Sequence, residues 1–155
     1  MRIRVLAVGS KMPGWVDTAV QEYSRRLPRE LTLEWLEIPL GKRHKNSNPA
    51  QAIAEESKAL LRAVPERDTV IALDVRGKAW TTEQLAGELA EWQASGDHYS
   101  ILIGGPDGLS KDCYQRARLR WSLSPLTLPH PLVRVLLSEQ LYRAWSINAG
   151  HPYHK

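Results

Sequence analysis

The chain has 155 residues, 43% hydrophobic and 25% charged, with a formal charge of +4. That size suits one domain near the usual ~100–150 residues and leaves no room for two full enzyme domains, while the composition excludes a disordered or collagen-like chain. One cysteine, Cys113, excludes an internal disulfide scaffold, and no apolar run approaches the ~20 residues of a membrane span. The expectation is a soluble, cytoplasmic, single-domain protein spanning residues 1–155, with neither a signal peptide nor a membrane partner.

In chain order, Ile3–Val8 is a β-branched and aliphatic run closed by Gly9, and predicts a buried strand. From Pro13 to Leu27, Trp15, Val16, Ala19, Val20, Tyr23 and Leu27 recur at helical spacing, and Pro28 stops the helix. Leu31–Ile38 begins by alternating and predicts a second strand. Pro39–Pro49 is a polar, basic loop, and a helix follows over about 50–63.

Thr69–Asp74 is apolar until its end, as an inner strand of a parallel sheet should be. Thr81 or Thr82 opens a helix to Ser95, and Gly96 closes it. Tyr99–Ile103 is the next strand and runs into Gly104-Gly105-Pro106-Asp107-Gly108; Ser110 caps a short helix to about 117. Leu119–Leu123 predicts the last strand. A loop with three prolines, Ser124–Pro131, leads into a long helix to about 147, with Pro131 at its first position. Strands alternate with helices throughout, so the expected class is α/β, a mostly parallel sheet flanked by helices.

Charge is unevenly placed. Residues 1–48 carry net +4, residues 49–99 net −4 and residues 100–155 net +4. Two basic ends favour an anionic partner, nucleic acid being the commonest.

Four features could carry chemistry. The Gly104–Gly108 turn follows a strand end, where ligands of open α/β sheets collect, but it is no G-x-G-x-x-G fingerprint, and Pro106 removes an N–H that a phosphate cradle would use. The proline-stiffened Ser124–His130 loop offers hydroxyls and main-chain groups that suit a polar, planar ligand. His151 and His154 lack the companion ligands of a zinc site, so no metal is expected. The last helix is apolar over more than one stripe, as if buried on several sides, and its wedge of polar groups includes Glu139 with Arg143.

Together these stretches resemble a known family. The residues that carry the likeness are Val5–Gly9 with Lys11-Met12, Glu22-Tyr23 with Arg26-Leu27, Leu73-Asp74 with Gly77-Lys78, Ile101–Leu109, Trp121–Ser124, Leu126–Arg134, Glu139–Ala144 and His151–Lys155. The chain resembles, over essentially its whole length, the H-type ribosomal RNA large subunit methyltransferases of the SPOUT class. The resemblance implies a C-terminal trefoil knot, an obligate homodimer, S-adenosylmethionine as cofactor, and methylation of N3 of a pseudouridine in 23S rRNA of the assembled ribosome; DNA is not an expected partner. It places cofactor contacts on Leu73, Gly104 and the loop Leu123, Ser124, Pro125, Leu126, Thr127 and Leu128. The candidates near the C-terminus are His130, Arg134, Glu139, Tyr142, Arg143, Tyr153 and His154, with Tyr153 and His154 favoured for orienting the base or removing its proton and Arg134 and Arg143 for anion contacts or pairing with Glu139. Lys11, Arg25, Arg26 and the Lys42–Lys45 loop are candidate rRNA phosphate contacts. A SPOUT enzyme acting on tRNA and a non-catalytic RNA-binding module remain alternative readings.

Overall fold

The computed structural model describes residues 1–46 and 48–155; Ser47, inside the predicted 39–49 loop, lies outside the described residues. Five strands alternate with five helices: β1 (Arg2–Val8), α1 (Gly14–Ser24), β2 (Thr32–Ile38), α2 (Ala50–Ala63), β3 (Thr69–Ala79), α3 (Thr82–Ser95), β4 (Tyr99–Ile103), α4 (Lys111–Arg116), β5 (Leu119–Ser122) and α5 (His130–Asn148), with a 3-10 turn at Pro152–His154. The sheet is parallel at every pairing, in the order β2-β1-β4-β3-β5.

The inner strands are apolar because helices cover both of their faces. Alternate side chains point to opposite sides. Ile3, Val5, Ile71, Ile101 and Trp121 pack with Leu85, Leu89 and Trp92 of α3 and Leu137 and Leu141 of α5. Leu6, Val8, Val70 and Leu102 pack on the other side with Leu60 of α2 and Cys113 of α4. The lone cysteine is thus a buried packing residue. Asp68, itself buried, is held by two hydrogen bonds from Arg2 (2.9 and 2.8 Å) and one from Ser100 Oγ (2.7 Å). Burial works to raise its pKa, but these donors outweigh it and hold the carboxyl below its ordinary value.

Local signals act as expected where they are strong. Thr81 caps α3 in a reciprocal box with Gln84, and Gly96 ends it in the left-handed conformation. Ser110 accepts from the Cys113 N–H and caps α4. Weaker signals give differences. Helix α1 ends at Ser24 and Arg25–Leu27 continue as turns, while α5 starts one residue before Pro131.

The largest difference is β3, which runs to Ala79 instead of Asp74. Leu73 and Lys78 both register with Trp121 of β5, so residues 74–77 bulge out of the ladder. Gly77 makes the rejoining possible: a Cβ there would lie 2.7 Å from the backbone of Arg120 and Trp121. This bulge sits at the carboxyl end of the sheet, beside the site described next.

Candidate active site

The carboxyl ends of β1, β4 and β5 and the start of the β3 bulge meet around a cavity of about 580 Å³, lined by Val8–Ser10, Leu73–Val75, Ile103–Gly105, Leu123, Ser124, Leu126–Leu128, His130 and Val133, among others. It is where an open α/β sheet collects ligands, and its size falls in the range of small-molecule sites. Seven of the eight residues that the sequence resemblance marks as cofactor contacts line it: Leu73, Gly104, Leu123, Ser124, Leu126, Thr127 and Leu128. Pro125 is exposed and is not part of the lining.

The two loops of the cavity are built differently. The glycine turn is tight: Gly108 N–H donates to Gly105 O at 3.0 Å with Gly108 at φ +83°. A Cβ on Gly104 would stand 2.7 Å from the Gly108 carbonyl carbon, so the backbone itself demands glycine there. The proline loop is set by serines. Ser122 Oγ donates to Ser124 O at 2.9 Å, and Ser124 Oγ accepts from Leu126 N–H at 3.0 Å. Leu126 is left 72% exposed at the cavity rim, an apolar side chain without cover in the free chain.

Side chains around the cavity are engaged in ways that the sequence did not show. Arg43, expected to meet rRNA phosphate, is committed inside the chain: Nη1 donates to Glu56 (2.7 Å) and Nε to Asp107 of the glycine turn (2.9 Å). Glu56 is 2% exposed and also accepts from Gly41 N–H. A basic residue in a basic loop reads as solvated until a partner thirteen residues on is placed beside it. Arg25 and Arg26, likewise expected at phosphate, both pair with Glu22. Tyr114 lines the cavity with the Arg120 guanidinium 4.0 Å above its ring. Nearby, Asp74 accepts from Arg76 N–H at 3.1 Å. Asp74 has a sequence signal in the Leu73-Asp74 pair of the family resemblance, whereas Tyr114 has none beyond a short helix after a turn.

Helix α5 divides the remaining candidates between its two ends. At the first turn, His130 faces the cavity and Arg134 lies buried behind it, 3% exposed. Arg134 donates from Nε to His130 Nε2 (3.0 Å) and from Nη2 to Gly9 O (2.9 Å), and Nη1 stands 3.4 Å from Glu37. It is therefore a structural clamp, not a group free to bind phosphate. Burial, then the adjacent Arg134 charge, pushes His130 down to about 4.

Toward the other end, Glu139 accepts from Arg143 Nε (2.7 Å), Gln140 Nε2 (2.8 Å) and Tyr153 Oη (3.2 Å). Tyr153 also packs edge-on against Tyr142, with ring centroids 4.6 Å apart. Burial, a Tyr23 hydrogen bond and the Glu139 charge push Tyr153 up to about 12, so its phenol stays protonated. His154 Nδ1 is buried and, among the described residues, makes no hydrogen bond. From His130 to Arg143 the helix climbs roughly 20 Å at ~1.5 Å per residue. The chain thus brings together His130 with Arg134, and Glu139 with Arg143 and Tyr153, but not the two groups with each other.

A parallel α/β sheet thus carries a cavity formed by a glycine turn, a proline loop and the start of the last helix, at the place where open α/β sheets hold ligands. A family model described as "Predicted SPOUT methyltransferase" matches residues 1–154, and the chain belongs to the SPOUT methyltransferase family. It is 53% identical over 155 residues to "Ribosomal RNA large subunit methyltransferase H" of Hahella chejuensis, spanning all of this chain and 99% of that protein. It is 54% identical to the protein of the same name from Azotobacter vinelandii, over the full length of both. Among solved structures, a probable methylase family protein from Haemophilus influenzae superposes with a TM-score of 0.62 at 15% identity, covering 99% of this chain and 70% of that one. That last likeness concerns the fold alone.

Proposed function

We propose that this chain is a single-domain methyltransferase of large-subunit ribosomal RNA, transferring a methyl group from S-adenosylmethionine to N3 of a pseudouridine in 23S rRNA of the assembled ribosome. The observation that carries the reading is the cavity: seven of eight expected cofactor positions converge on it from separate strands. Its lining fits the cofactor. Leu73, Leu126, Leu128 and Val133 give an apolar slot for a planar adenine, Ser124 and Thr127 give polar edges, and Pro106 disfavours a phosphate cradle.

The chemistry that S-adenosylmethionine supplies when bound is a sulfonium-activated methyl group. The protein's task is positioning and handling the N3 proton. Tyr153, protonated to about 12, serves as a donor and not as a base. Glu139 is occupied by three donors and orders Arg143 and Tyr153. With Tyr153 and Glu139 so engaged, His154 is the tail residue we assign to the departing proton.

We also propose a cytoplasmic homodimer with the C-terminal trefoil knot of its family. Trp15 on α1 and Leu132 and Leu136, one turn apart on α5, are exposed apolar groups on two helices that pack together. A partner seated there covers them, and it offers a second tail to a cavity whose lining ends, at Val133, roughly 15 Å along α5 from its own Arg143.

The test is a methyl-acceptor assay comparing assembled ribosomes, free large subunits and tRNA, with calorimetry of S-adenosylmethionine. Cofactor binding with methylation of ribosomes alone is expected. Methylation of tRNA alone overturns the substrate, and absence of cofactor binding reduces the chain to an RNA-binding module.

A further inference from the structure

The contact between Arg134 and His130 decides what the histidine can do. A guanidinium in a protein does not give up its proton, so Arg134 Nε is a donor and His130 Nε2, 3.0 Å away, must present its lone pair. A neutral imidazole with its lone pair on Nε2 carries its proton on Nδ1. A protonated ring would set an N–H of His130 against the N–H of Arg134. Arg134 cannot turn aside, because it is 3% exposed and anchored at Gly9 O and beside Glu37. The charged groups around the ring are Arg134 from its own helix and, beyond it, Glu37 from β2; the β1 end contributes only the neutral Gly9 carbonyl. His130 Nδ1 has no hydrogen bond among the described residues and is not among the buried unpaired atoms, and the residue lines the cavity.

We infer that His130 serves the cavity as a hydrogen-bond donor of fixed tautomer, offering Nδ1–H to a negatively charged oxygen of a bound molecule, with Arg134 as the positioning residue that sets the tautomer. The inference rests on the methyltransferase reading of the cavity. It removes His130 from the candidates for the base, since one nitrogen is held by Arg134 and the other already bears a proton. Two oxygens share the chemistry: the carboxylate of the cofactor's amino-acid end, and the carbonyl oxygen beside N3 of the target ring, which gains charge as the proton leaves.

The first measurement is long-range nitrogen–proton NMR of the free protein, where His130 is expected to show protonated Nδ1 and unprotonated Nε2 at neutral pH. A signal from the opposite tautomer overturns the inference. The second compares His130→Asn, whose amide nitrogen falls near Nδ1, with His130→Gln, whose amide reaches the Nε2 level. Binding of S-adenosylhomocysteine and single-turnover methylation are read for both. The Asn variant should stay within about fivefold of the parent, while the Gln variant should lose about twentyfold or more in one readout, the size of a hydrogen bond to a charged group. Loss of affinity assigns the oxygen to the carboxylate; loss of rate with affinity kept assigns it to the target ring. Equal loss in both variants, or none in either, overturns the donor role. Failure of the parent protein to bind S-adenosylhomocysteine overturns the cofactor reading instead, and the NMR result still decides the tautomer.

Discussion

The two ends of α5 solve different problems with different materials. At its first turn the cavity is made of backbone and apolar side chains: Gly104, Gly105, Leu73, Leu126 and Leu128, with one histidine held neutral. Along its second half the tail cluster is made of charge and aromatic rings, with Glu139 at mid-helix gathering three donors and Tyr142 stacked within 5.8 Å of Trp145. Backbone geometry tolerates no added atoms, whereas a side-chain network loses one bond at a time. Substitutions should therefore act sharply at the cavity and gradually at the tail.

Gly104→Val should have the largest effect. Its Cβ would fall 2.7 Å from the Gly108 carbonyl carbon, so the turn must open. Binding of S-adenosylmethionine should weaken by about a hundredfold, the order of one misplaced loop contact set. Calorimetry reads it, with a thermal melt to show that the sheet persists. Undiminished binding would show that the glycine turn is no part of the site.

Glu56→Gln tests how the same turn is held from behind. The buried carboxylate bridges Gly41, Arg43 and, through Arg43, Asp107. Breaking a buried pair from one side costs about 3 kcal/mol, which urea unfolding should show. A change within error would make the Arg43 clamp incidental.

Tyr153→Phe probes the other end. The ring keeps its packing on Tyr142 and loses only its hydrogen bonds, including the one to Glu139. Single-turnover methylation should fall about tenfold with cofactor affinity unchanged, near the value of one hydrogen bond to a charged group. An unchanged rate would make the tail a structural cap.

Much of this contrast was legible in the sequence, for reasons that differ by region. Inner strands such as Tyr99–Ile103 announce themselves because both faces are covered, and caps such as Thr81 and Ser110 because they bond to backbone only residues away. The cavity loops were legible through the family resemblance; alone, a glycine turn and a proline loop would read as connections. Three things were not legible. The β3 bulge depends on Gly77 meeting Arg120, forty-three residues on, and no local period encodes that. The engagement of Arg43 depends on partners thirteen and sixty-four residues away. The separation of His130 from Tyr153 depends on where the tail folds back onto α5, which a list of polar residues near the C-terminus does not state.

The smallest effect is a pH dependence, and its sign follows from the cavity end alone. His130 is held down to about 4 in the folded chain, against about 6.5 when free. Between those values the unfolded chain binds a proton that the folded chain refuses. Stability should therefore be independent of His130 above pH 6.5, decline as pH falls from 6.5 to 4, and stop declining on its account below 4. The ring is partly open to the cavity, so solvent screening reduces the effect to about 1 kcal/mol. Urea midpoints for the parent and His130→Asn, measured across that window, isolate it: the parent should lose more than the variant between pH 6.5 and 4. Glu22, Asp68 and Asp74, whose pKa values are also lowered, begin to lose their own contributions as pH falls toward their ordinary values of 4.5 and 3.8, but they do so alike in parent and variant and cancel from the comparison. Parallel curves would mean that the ring accepts its proton without hindrance, and that Arg134 does not hold it neutral. A difference that shifts against the parent below pH 6.5 and levels off near pH 4, where the folded ring titrates, ties the clamp on His130 to the cavity and leaves the tail cluster out of it.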